Sequence, residues 1–93
     1  MGLPVGTVTI STPGTRVQVV ASGNAVRAVS FRARATNTGA VYIGDETVAS
    51  TSGYRLEPGD EVAFLFKEEV DLRRFYVDAA TASDRVDYAA VSA

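Results

Sequence analysis

The sequence predicts an all-β domain: a small antiparallel β-sandwich, Ig-like or jelly-roll-like, with seven to nine short strands and little helix. Three observations carry this. First, β-branched and aromatic residues dominate, with 14 Val, 2 Ile, 9 Thr, 4 Phe and 4 Tyr against only 4 Leu, 5 Glu, 1 Lys, 1 Gln and 1 Met among helix formers other than Ala and Arg. Branched and aromatic side chains fit a pleated, half-buried surface better than a helix. Second, several runs alternate apolar and polar residues with a period of two, the spacing of a strand with one face in a core. Third, Gly, Pro, Asn and Ser punctuate the chain at roughly 8–12-residue intervals.

Each element follows from local chemistry. Residues 1–14 read as an N-terminal arm, rich in Gly and Pro, that carries a first short strand at Thr7–Ile10. Residues 15–93 read as the single sandwich domain, since a chain of 93 residues is one domain in length. The Ser11-Thr12-Pro13-Gly14 stretch is a turn, because Pro presets φ and Gly supplies the conformations other residues avoid. Thr15 to Ala21 is a strand with Val17 and Val19 on one face, followed by a turn at Ser22–Ala25.

Arg27 to Ala35 shows the cleanest alternation, with Val29, Phe31, Ala33 and Ala35 on one side and Ala28, Ser30, Arg32 and Arg34 on the other. Ala40 to Ile43 is a short strand stopped by Gly44. Gly44 to Gly53 is a polar loop around Val48, with a short edge strand near Thr47–Ser50. Glu57-Pro58-Gly59-Asp60 has the type II signature, Pro at the second position and Gly at the third. Glu61 to Lys67 is the most apolar strand, and the charged stretch Glu68 to Leu72 reads as a turn or one helical turn. Strands over Arg74–Ala80 and Arg85–Val91 close the domain. Val29, Phe31, Ala33, Ile43, Leu56, Val62, Phe64, Phe66, Phe75, Val77 and Val86 are the expected core.

Composition excludes several chemistries. With no Cys and no His, thiolate nucleophiles, imidazole bases, disulfides and most zinc sites are absent. The net charge of −2 and the pI near 4.9 argue against nucleic acid as a partner. No apolar run reaches the roughly 20 residues of a membrane-spanning helix. The N-terminus, Met1-Gly2-Leu3-Pro4-Val5-Gly6, has neither the basic start nor the apolar stretch of a signal peptide.

The remaining candidates are modest. Acidic pairs at Asp45-Glu46, Asp60-Glu61 and Glu68-Glu69 sit beside turns, where solvated carboxylates are ordinary, and their spacing matches no calcium loop. Arg27, Arg32 and Arg34 make a small basic face, but strand parity turns Phe31 away from it, separating charge from any stacking platform. Tyr42, Tyr54, Tyr76 and Tyr88 suit an interface, since Tyr combines apolar area with a polar tip.

Three segments form an ordered set: Asn37-Thr38-Gly39-Ala40-Val41-Tyr42-Ile43-Gly44, then Gly53-Tyr54-Arg55-Leu56-Glu57-Pro58-Gly59-Asp60, then Phe75-Tyr76-Val77-Asp78-Ala79. The set resembles small β-rich virion proteins of tailed bacteriophages, of the capsid-decoration or head and tail accessory type, over residues 27–91. The resemblance implies a non-enzymatic structural role in the virion, with assembly in the host cytoplasm and no catalytic, metal or cofactor residues to carry over. The implied partners are a major capsid protein or another virion protein, with the chain itself as a homo-oligomer, and neither nucleic acid nor membrane. Leu3, Val5, Arg32, Arg34, Tyr42, Val48 and Tyr54 are the expected interface residues. The rival expectation is a carbohydrate- or host-surface-binding module of a phage fibre or tail tip, marked by two or more of the four tyrosines on one concave surface.

Overall fold

A computed structural model describes residues 5–20, 25–49 and 53–92. Within them the chain forms β1 (Val5–Ile10), β2 (Val17–Gln18), β3 (Ala25–Ala33), β4 (Val41–Gly44), β5 (Tyr54–Leu56), β6 (Glu61–Asp71), a 3₁₀ turn at Leu72–Arg74, β7 (Tyr76–Ala79) and β8 (Asp84–Ser92). All pairings are antiparallel. The front sheet has the order β1-β8-β3-β6 and the back sheet β2-β7-β4-β5. First strand therefore pairs with last, third with sixth, second with seventh and fourth with fifth. This nested order is that of the eight-stranded jelly roll, which settles the choice the sequence left open.

The core lies between the sheets. Ile10, Val29, Phe31, Ala33 and Val86 of the front sheet meet Val41, Ile43, Leu56, Val77 and Ala79 of the back sheet. Val62, Phe64, Phe66 and Phe75 are half-buried against that core. Their rings form a chain of contacts: Phe31 lies 5.3 Å from Phe75 and 6.1 Å from Phe64, and Phe64 lies 5.3 Å from Tyr54 on β5. Edge-to-face and tilted ring pairs at these spacings add to area burial. They close the side of the sandwich where β5 and β6 are the sheet edges.

Of the segment expected as an arm with a first short strand, residues 5–10 form β1 and belong to the front sheet. β1 pairs with β8 along its whole length, and Val8 and Ile10 are buried. Alternation does the work here: VGTVTI puts Gly6, Val8 and Ile10 inward and Val5, Thr7 and Thr9 outward. Tyr88 on β8 lies over Gly6, so close that a Cβ there would meet its hydroxyl at 2.7 Å.

Two elements depart from strict parity. β3 starts at Ala25, and a register shift between Val26 and Ala28 turns Val26 into the core although its parity opposes Val29. Extra residues in one strand reset which face a side chain takes. β6 does not stop at Lys67 but runs through the charged stretch to Asp71, because Val70 pairs with Val26 beyond the irregularity. The helical turn comes after it, at Leu72–Arg74. Asp71 accepts a hydrogen bond from the Arg73 amide there, and Leu72 is buried.

Both Pro-Gly turns form as their chemistry requires. Gly59 has φ of 92°, and the Asp60 amide donates to the Glu57 carbonyl at 2.9 Å. Gly14 has φ of 85°, and the Thr15 amide donates to the Thr12 carbonyl at 3.1 Å. The expected turn at Ser22–Ala25 lies, up to Asn24, outside the described residues.

Candidate functional site

Two buried carboxylates organise the loops. Asp84, at the start of β8, accepts from the Thr38 and Gly39 amides, one on each oxygen, both at 2.9 Å. Asp78 on β7 accepts from the Gly14 amide at 3.0 Å and from the Ala79 amide at 2.8 Å. These are structural roles, since each acid satisfies backbone donors that burial would otherwise leave unpaired.

The back sheet is covered on its outer side. Asp45 accepts from the Thr47 amide at 2.9 Å and from its hydroxyl at 2.6 Å, and the Val48 amide donates to the Asp45 carbonyl. This turn folds Val48 onto Tyr42; of the short edge strand expected near Thr47–Ser50, Ala49 makes a single β-bridge and Ser50 lies outside the described residues. Val48, Tyr42 and Ala40 form a second small core with Tyr76 against it. Tyr42 is 5% exposed and Val48 3%, so the chain's own loop withdraws both from the expected interface. Tyr54 is exposed at the β5–β6 edge, with its ring against Phe64. Tyr88 lies on the front sheet over Gly6. The four tyrosines thus share no open platform.

The outer side of the front sheet is different. Strand pairing sets its outward residues in rows across β1, β8, β3 and β6. One row reads Val5, Ala89, Ser30, Ala63. Beside it, Val91, Ala28 and Leu65 continue on β8, β3 and β6. On the other side lies Thr7, Asp87, Arg32, Glu61, and beyond it Thr9, Arg85 and Arg34. The face is therefore divided into an apolar half and a charged half. A shallow depression of about 220 Å³ follows the apolar half along Ala28, Ser30, Ala63, Leu65, Ala89 and Val91. Leu65 is 86% exposed, Val5 66% and Val91 45%.

The charged half is bonded within itself. The Arg34 Nε donates to both oxygens of Asp87 at 3.0 and 3.1 Å, and the Thr7 hydroxyl donates to Asp87 at 2.6 Å. The Arg34 hydrogen bond, aided by Thr7 and by the charges of Arg34 and Arg32, holds the Asp87 carboxyl below the usual carboxylate range. Asp45 is lowered by its bonds from Thr47. Both shifts favour the ionised form, the opposite of what a general acid needs at neutral pH. Arg32 sits between Asp87 and Glu61 and Arg34 is paired with Asp87, so the basic face expected from sequence is a mixed one.

Of the expected interface residues, the front face brings together Val5, Arg32 and Arg34. Leu3 lies outside the described residues. Sequence reasoning missed Leu65, Val91 and the small residues between them. The signal was present: in Glu61 to Lys67, Val62, Phe64 and Phe66 share one parity, which leaves Leu65 on the other. Among the described residues no three acids, His or Cys stand close enough to hold a metal ion, and no helix is long and apolar enough to cross a membrane. The chain matches no protein-family model, no curated protein and no solved structure.

Proposed function

We propose that the protein is a non-enzymatic structural protein of a virion, of the capsid-decoration or cement type, that attaches to a repeating protein shell by surface complementarity. The observation that carries the reading is the exposed apolar half of the front sheet, with Leu65 at 86% exposure. Water-exposed leucine on a β edge contributes nothing to the core and favours association, so a contact surface is the use that accounts for it. The resemblance of residues 27–91 to small virion proteins supports the same role. The burial of Tyr42 and the scatter of the other tyrosines weigh against a sugar platform.

The test is occupancy on purified particles. Wild-type protein is expected in many symmetric copies per particle, and Leu65→Asp, which touches no core contact, is expected to lower the copy number at least about tenfold. Absence of the wild-type protein from particles would overturn the reading.

A further inference from the structure

We infer that the partner of the front face is a second copy of this chain, packed face to face about a two-fold axis that lies in the interface, parallel to the strands, between β8 and β3. The inference rests on the reading of this face as a contact surface of the assembled particle, and names its occupant as a neighbouring copy of the chain, which leaves contact with the shell itself to the other surfaces. A two-fold interface needs a patch that complements itself. Rotation about this axis lays β1 of one copy over β6 of the other and β8 over β3. The row Thr7, Asp87, Arg32, Glu61 then meets its own reverse, Glu61, Arg32, Asp87, Thr7. Each Asp87 faces the second copy's Arg32, and each Glu61 faces a threonine hydroxyl. No acid faces an acid in that row, and no Arg faces an Arg.

The neighbouring row behaves as well. Val5, Ala89, Ser30, Ala63 meets Ala63, Ser30, Ala89, Val5. Every facing pair contains a small residue, so two sheets can approach to the ordinary spacing of about 10 Å. Ser30 already donates to the Ala89 carbonyl at 3.4 Å, so burying the row strands no hydroxyl. Leu65, at the corner of the face, comes beside the second copy's Val5. Arg34 carries its counter-ion, Asp87, with it into the contact. The outermost row, Thr9, Arg85 and Arg34, sets each Arg85 opposite the second copy's Arg34, but it lies farthest from the apolar half, at the rim where aligned sheets splay apart and charges stay in water.

Strand spacing of about 4.8 Å and row spacing of about 7 Å give a footprint of roughly 400 Å² on each copy. The total of roughly 800 Å² is below the roughly 1,000 Å² of a stable specific interface, so the dimer is weak and transient and its signature is concentration-dependent mass.

Sedimentation of the purified chain at high micromolar concentration tests this. Wild-type protein is expected to move from monomer towards twice its mass as concentration rises. Leu65→Asp, Arg32→Asp and Asp87→Arg, each checked for an unchanged circular dichroism spectrum, are each expected to weaken dimerisation at least about tenfold. An equal mixture of Arg32→Asp and Asp87→Arg is expected to associate again, because each introduced charge then faces its opposite. A wild-type chain that stays monomeric, a dimer indifferent to Leu65→Asp, or a charge-swapped mixture that does not pair overturns the inference. The virion reading fails separately. Particles that lose Leu65→Asp protein while the wild type is monomeric in solution keep the virion reading and sink the dimer. A pairing mixture with no protein on particles does the reverse.

Discussion

Phe31 and Phe64 are both aromatic, both expected in the core and in contact with each other, yet their surroundings differ. Phe31 sits on a central strand with no exposed surface, enclosed by Phe64 and Phe75 and by apolar residues of both sheets. Phe64 lies on the edge strand β6, half-buried, with Tyr54 across it. Truncation therefore has different consequences. Phe31→Ala is expected to cost about 3–5 kcal/mol, because an enclosed site cannot collapse around the cavity. Phe64→Ala is expected to cost less than half of that, since part of the ring is already wet and its neighbours can relax. Equal losses in denaturant titrations would show that the edge is as well packed as the centre. Core membership was legible at this scale. Seven of the eleven expected core residues are buried and the other four half-buried against the core, because period-two alternation reports the inward face directly. Exposure was not legible. Tyr42 and Val48 are a strand residue and a loop residue, and only the fold of the Asp45–Val48 turn shows that one covers the other.

At the scale of elements, the glycines of the turns separate two kinds of constraint. Gly59 needs positive φ, but a Cβ there would meet open space. Gly53 has φ of 121°, and a Cβ there would come within 2.8 Å of the Ile43 carbonyl oxygen and of Val48. Gly59→Ala thus carries only backbone strain, about 1–2 kcal/mol. Gly53→Ala adds collisions with the second small core and is expected to lower the melting temperature more. A smaller loss at Gly53 than at Gly59 would mean that the 44–53 loop gives way freely. Element existence was readable from the same chemistry. β3, β4 and β7 and both Pro-Gly turns fall where alternation and turn residues place them. What failed was extent. β6 continues through Glu68 and Glu69 because an edge strand can point charges to water, and Val26 turns inward because a register shift resets parity. Neither effect leaves a trace in a local window. The candidate site failed for a related reason: its rows exist only once register fixes which residues lie abreast across four strands.

On the whole-molecule scale, Asp87 links three strands that are far apart in sequence, through Thr7 on β1, its own place on β8, and Arg34 at the end of β3. Its carboxyl is lowered in the folded protein, so its contribution to stability is present above the unfolded value and is lost as pH falls through the folded one. The pair is partly solvated, which keeps its worth to about 1 kcal/mol or less. Asp87→Asn is expected to be slightly less stable than wild type at neutral pH, with the two converging below about pH 4 as the wild-type carboxylate protonates. A gap that persists unchanged to pH 2.5 would place the effect in packing and not in charge.

The nested strand order has a mechanical corollary. Val5 opens β1 opposite Ala89, so the start of the first strand and the end of the last lie side by side at one end of the front sheet. A load applied through these two points peels β1 from β8 one rung at a time, as a zipper opens, and does not shear all the rungs together. The same polarity leaves the Glu57–Asp60 turn at the opposite end, docked by its Gly59 amide on the Ala33 carbonyl and by its Asp60 carbonyl on the Ala33 amide, both at 2.9 Å. Tension between that turn and Val5 or Ala89 runs along the strands and loads their hydrogen bonds in parallel. The molecule is weak along one pulling direction and strong along the other, and the strong axis is the one that lies in the plane of the front face.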